Sequence, residues 1–249
     1  MISRGRDRKR HIYKRDSLSP DLIDCVSRVL EVAARDVQSN IFLFLDVDSE
    51  VDPPTEEYGK IYGLTRRGSF NDQRFAPVDD AVMVALAREG PFPVVTWISP
   101  IPLSPTIPEV FRTALIAHEL GHARQIDQFE DLCEAWDYYK DFLTDVQQPL
   151  LQWHQPLEID TELHARQVVR NLHPGESLEP LLYYYRNYER VLQFEASGGF
   201  DVLDYFTETV RRGPSGFRDW IKAGDRMWRE NSVLLQLAPE LGLRSEDFA

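Results

Sequence analysis

Between Pro20 and Val37 the apolar residues Leu22, Val26, Val29, Leu30 and Ala33 recur at steps of three and four. That is the period of one helix face, and Ser19 stands where an N-cap belongs. Four shorter runs follow, Ile41–Leu45, Tyr58–Leu64, Ala81–Leu86 and Val94–Ser99. Each is apolar or β-branched and bounded by Gly, Pro or Asp, which predicts three or four strands, although the alanines of the third run also suit a helix. From Pro108 onward the strand pattern ceases. Helical periodicity then runs to the last residues, broken at Pro149, Pro156, Pro174-Gly175, Gly198-Gly199 and Gly213-Pro214. Strands grouped first and helices afterwards describe an α+β chain, not the alternation that builds a doubly wound parallel sheet.

One string inside the helical half carries chemistry: Ala117-His118-Glu119-Leu120-Gly121-His122-Ala123-Arg124, an H-E-x-x-H sequence. Its helix is predicted independently, with Thr106 as cap, Pro108 in the first turn, and Phe111, Leu115, His118, His122 and Ile126 along one side. Histidines at i and i+4 project in parallel, so their ring nitrogens can grip one tetrahedral cation. Glu119 sits about 100° round the helix from His118, placed to act as general base on a water at the metal without being a ligand. Zinc acidifies such a water and polarises a carbonyl, and the glutamate takes the proton. Gly121 costs the helix about 1 kcal/mol relative to alanine, which close passage of another element would explain.

A catalytic zinc needs a third protein ligand and an open position. The next helix signal, Pro156-Leu157-Glu158-Ile159-Asp160-Thr161-Glu162-Leu163-His164-Ala165, offers Glu158 in its first turn, where the helix dipole favours an anion. Glu158 is the preferred third ligand. Glu162, one turn later on the same face, is then placed to receive an imidazole N–H and fix its tautomer, and the two glutamates can exchange roles. Asp160 and His154 are weaker rivals.

Composition narrows the class. The chain has 249 residues, 43% hydrophobic and 28% charged, with only two cysteines. That excludes collagen, bulk disorder and a disulfide-stapled miniprotein. Cys25 and Cys133 have no paired spacing and read as reduced thiols in a cytoplasmic protein. No apolar stretch approaches the ~20 residues of a membrane span. The net charge of −13 hides a division: Arg4, Arg6, Arg8, Lys9, Arg10, Lys14 and Arg15 against Asp7 make the first fifteen residues +6, leaving −19 for the rest. An acidic body repels phosphate backbones, so nucleic acid is not expected as its partner, and the basic arm reads as solvated and disordered.

The H-E-x-x-H helix followed by a glutamate helix resembles the gluzincin metallopeptidases, and most closely the minigluzincins and ImmA/IrrE-type bacterial proteins, over about residues 20 to 172. Those relatives often carry E-x-E-A-D/N-x-F-A around the glutamate. Here Thr161 stands in place of the alanine and Glu162 in place of the Asp or Asn. The resemblance implies a zincin-like core over 17–173, comprising an N-terminal helix, a small mixed sheet, the H-E-x-x-H helix and the glutamate helix. The residue pattern itself adds a basic, disordered tail over 1–16 and, with no counterpart in those families, a helical extension over 174–249, in which Phe217, Trp220 and Trp228 are expected to pack on the core or on a partner. The resemblance also implies that Val94–Ser99 forms the edge of the cleft and pairs with an extended peptide, and that a Tyr, His or Arg stabilises the oxyanion. Tyr183, Tyr184, Tyr185, His164 and Arg166 lie in range, with none preferred.

The expected activity is therefore hydrolysis of a peptide or protein amide bond with one zinc ion held by His118, His122 and Glu158, and Glu119 as base. The alternative is a zincin-shaped binding or regulatory module whose metal site is structural or vestigial.

Overall fold

A computed structural model of the chain describes residues 10–14, 18–45, 63–67, 94–98, 103, 105, 107–140, 156–176 and 202–230. Helix α1 (Pro20–Ala33) opens as its sequence predicts, with the Ser19 hydroxyl accepting the Leu22 N–H at 3.3 Å and Pro20 in the first turn. Its buried face is Leu22, Cys25, Val26, Val29, Leu30 and Ala33. The helix ends short of Val37 because the following turn is held from outside. The Arg10 guanidinium donates to the carbonyls of Ala34 (3.1 Å), Val37 (2.8 Å) and Ser39 (2.9 Å). Asp127 accepts the Gln38 and Ser39 N–H groups at 2.6 and 2.8 Å. Carbonyls left open at a helix end need such partners.

Arg10 belongs to a strand. Residues 10–14, expected within a disordered arm, form β1 (Arg10–Lys14), parallel to β2 (Ile41–Leu45) with Arg10 opposite Ile41. The charges that suggested a solvated tail have local work, as Arg10 shows, and His11 stacks on Phe42 with ring centroids 4.6 Å apart. β1, α1 and β2 make a parallel crossover, so the chain does begin with a short stretch of the alternation that its later residues lack.

The sheet has four strands in the order β1-β2-β4-β3. β4 (Val94–Ile98) runs parallel to β2, and β3 (Gly63–Arg67) runs antiparallel to β4, pairing Thr65 with Thr96. The fold is α+β with a small mixed sheet. Two strand expectations change. The run predicted as Tyr58–Leu64 meets β3 only at Gly63 and Leu64, its earlier part lying outside the described residues along with Ala81–Leu86. β4, expected at the edge of a cleft, is interior, because both its sides are occupied by β2 and β3; among the described strands the outer ones are β1 and β3.

Two compact units divide the chain, 1–129 with 167–174, and 130–166 with 175–249. In the first, Ile41, Phe42, Leu43, Leu45, Val94 and Ile98 are fully buried, and helix α2 (Glu109–Gln128) packs on α1, β3 and β4. In the second, α3 (Glu130–Lys140) packs on α5 (Val202–Arg211) and α6 (Pro214–Glu230), with Trp136 and Phe217 rings 5.5 Å apart. That packing is why the expected break at Pro174 is replaced by a discontinuous division. Phe217 and Trp220 are buried as predicted. Gly213, between α5 and α6, has φ +64°, a left-handed cap that glycine adopts without strain. Helix α4 (Pro156–Leu172) is one continuous helix that the division crosses after Arg166.

Cys25 is buried, Cys133 half-buried, and neither is in a disulfide. Among the described residues no helix is long and apolar enough to cross a membrane.

Candidate metal centre

Helix α2 carries the two histidines. It starts one position later than predicted, with Pro108 as N-cap and no side-chain cap; Thr106 lies outside the described residues. Instead of one apolar stripe, the helix buries residues almost all round: Thr113 to Ala117, Glu119 to Gly121, Ala123 and Gln125. A helix packed against both a sheet and another helix has little surface left for solvent. Within that stretch His118, His122 and Arg124 are the half-buried exceptions. The ring centroids of His118 and His122 are 4.9 Å apart and the rings are nearly perpendicular, at 83°. The i, i+4 spacing therefore brings the imidazoles together as expected.

Glu119 faces β3. It is 8% exposed, and its carboxylate Oε2 lies 3.1 Å from the Thr65 hydroxyl, which is also 2.9 Å from the Glu119 carbonyl and 3.1 Å from the Thr96 hydroxyl. A threonine has one proton to give, so it serves one Glu119 oxygen at a time, while Thr96 can donate to Thr65 in turn. Gly63 makes the approach possible. A methyl group there would overlap the Glu119 side chain, meeting Cδ at 2.7 Å and the Trp97 carbonyl at 2.9 Å. Gly121 is buried.

His122 has a partner on its own helix. Its Nδ1 lies 3.0 Å from Oε1 of Gln125, a side chain 1% exposed. An oxygen at that place can accept only from an Nδ1–H, the tautomer that would leave Nε2 as the lone-pair nitrogen. Glu162 was expected to serve one of the two imidazoles in this way; for the Nδ1 of His122 the partner is Gln125. Only a residue at i+3 or i+4 can reach along the same helix face, and Gln125 satisfies that spacing.

On α4, Glu158 lies in the first turn, half-buried, and its main-chain carbonyl accepts the Thr161 hydroxyl at 2.8 Å. The Thr161 side chain is thus used within the helix itself. Ligand atoms of His118, His122 and Glu158 all lie within 4.8 Å of one another, and this is the one such His/Cys/Asp/Glu grouping among the described residues. Glu162 and Asp160 are buried on the same helix and are not members of it. His154 and Tyr183 to Tyr185 lie outside the described residues, and His164 and Arg166 acquire no assignment. His173 does: its Nε2 lies 2.9 Å from the Thr113 hydroxyl, tying the end of α4 to α2.

The donor set fits a borderline cation. Two imidazoles and one carboxylate are the usual zinc ligands of a site that keeps one position open, and tetrahedral bonds of 2.0–2.1 Å would draw these donors to about 3.3 Å from one another. Three residues of this neighbourhood were not predicted from sequence: Gly63, Thr65 and Gln125. Gln125 carried a signal, since a glutamine three places after the second histidine shares its helix face; Gly63 and Thr65 carried none, because nothing in the sequence pairs them with Glu119.

No family description, curated protein or solved structure matches the chain.

Proposed function

We propose that the protein is a zinc-dependent peptidase with a zincin-like core, in which His118, His122 and Glu158 hold the ion and Glu119 is the general base. The observation that carries this reading is the grouping of ligand atoms of those three side chains within 4.8 Å of one another, two of them on the helix that also bears Glu119. Bound zinc would supply Lewis acidity and acidify a water. The chain supplies the rest. Glu119 accepts the proton of the attacking water and returns it to the departing amine, while Thr65 and Gly63 fix where its carboxylate stands. An extended substrate would pair with β3, the outer described strand beside Glu119, and not with β4, whose backbone groups are already used.

A second reading, a binding module with a structural metal, draws on the burial of Glu119 against β3. Both readings meet the same test. Purified protein is analysed for metal, then incubated with a peptide library prepared from a digested proteome, and new termini are identified by mass spectrometry. One zinc per chain, with cleavage products that vanish in Glu119→Gln while zinc is retained, supports the peptidase. Retained zinc with the same products in both proteins removes Glu119 as base, and retained zinc without products in either favours the module.

A further inference from the structure

We propose that Gln125 is a positioning residue for His122, holding that imidazole as its Nδ1–H tautomer so that Nε2 is the nitrogen presented to a divalent cation. The inference rests on the metal-binding part of the reading above and extends it to a side chain with no ligand or base role.

Three observations carry it. Gln125 is 1% exposed, so its amide left water on folding and had to find partners inside the protein. Its neighbours on α2, Leu120, Gly121 and Ala123, are buried and show that small or apolar residues suit this helix, so packing alone does not call for an amide. Its Oε1 stands 3.0 Å from His122 Nδ1, at i+3 on the same helix face. A carbonyl oxygen only accepts, so the ring nitrogen facing it must carry the proton, and in a neutral imidazole the other nitrogen is then the acceptor or ligand. Ligating histidines ordinarily give their second N–H to an oxygen partner, and loss of that partner weakens metal binding by 10- to 100-fold.

The partner's identity sets a second property. A neutral amide fixes the tautomer without adding negative charge next to the ligand set, whereas a carboxylate at the same place would strengthen the imidazole as a donor and reduce the net positive charge left on the ion. Gln125 therefore favours an ion that remains a strong Lewis acid over one that is held as tightly as possible.

The test uses the full chain, zinc alone as probe, and two substitutions. Gln125→Met keeps the length of the side chain and removes the acceptor; Gln125→Glu keeps an acceptor and adds charge. Zinc affinity, measured by competition with a chromophoric chelator at neutral pH, is expected to fall about 10- to 100-fold in Gln125→Met and to equal or exceed that of the unaltered protein in Gln125→Glu. Equal affinity in Gln125→Met and the unaltered protein would overturn the proposal. The tautomer is read separately in zinc-free protein labelled with 15N-histidine, the His122 signals being assigned by their loss in His122→Gln. A His122 ring protonated at Nδ1 in the unaltered protein, shifting toward the Nε2–H form in Gln125→Met, supports the inference even if peptide hydrolysis is never seen. A ring protonated at Nε2 in the unaltered protein overturns it whatever the peptidase assay shows.

Discussion

Two glutamates flank the proposed ion, and their settings differ. Glu119 is nearly sealed, its carboxylate laid on a strand whose glycine makes room and whose threonine hydroxyl meets it. Glu158 is half-buried in the first turn of a helix, with the positive end of the dipole beneath it. On the proposed roles, a base and a ligand ask for different support. A base must stand at a fixed place and stay off the ion, which takes bracing from another element. A ligand is positioned partly by the ion it binds, so a helix start suffices.

The sharpest way to break that contrast is to alter each carboxylate alone. Glu119→Gln is expected to lower peptide cleavage by 10²- to 10⁴-fold with zinc content unchanged, as read by product formation and metal analysis on the same sample. Glu158→Ala is expected to do the reverse of the second clause and release zinc. Its affinity should fall by more than 100-fold, beyond the range for residues that only support a ligand, whereas Glu162→Ala should retain the ion. Zinc lost from Glu162→Ala and kept in Glu158→Ala would exchange their roles.

The bracing of Glu119 predicts smaller effects on stability. Gly63→Ala forces a methyl group into the glutamate and the Trp97 carbonyl, at a cost of about 1–3 kcal/mol in denaturant unfolding. Thr65→Val removes one hydroxyl from the carboxylate and should cost about 1 kcal/mol. If Gly63→Ala proves neutral, the strand does not brace the base. The smallest effect belongs to the solvent-exposed pair Arg28 and Glu109, 3.0 Å apart: Glu109→Gln should change stability by less than about 0.5 kcal/mol and serves as the baseline for the others.

Much of this was legible in the amino-acid order because it depends on local pattern. The helix at Pro20 repeats its apolar residues at helical spacing, the strands at Ile41 and Val94 are short apolar or β-branched runs, and the helices from Pro108 and Pro156 are marked by a proline at their start. What was not legible depends on partners distant in the chain. Arg10-His11-Ile12-Tyr13-Lys14 looks like a charged arm until Phe42 and the carbonyls after α1 are placed beside it. Gly63 and Thr65 look like an ordinary strand fragment until Glu119 lies against them. Gln125 faces His122 because it stands three places later on the same helix, a spacing visible in the sequence once the helix is drawn.

The β1 strand has a practical consequence for handling the protein. Ile41–Leu45 is wholly apolar, and β1 alone separates one of its edges from whatever lies beyond. A chain trimmed to start after Arg15 would lose the guanidinium that gathers three carbonyls and would bare a row of hydrogen-bonding groups on a greasy strand. Such margins recruit the same margin of a neighbouring molecule. Shortening the basic arm to improve behaviour in solution should therefore yield aggregates.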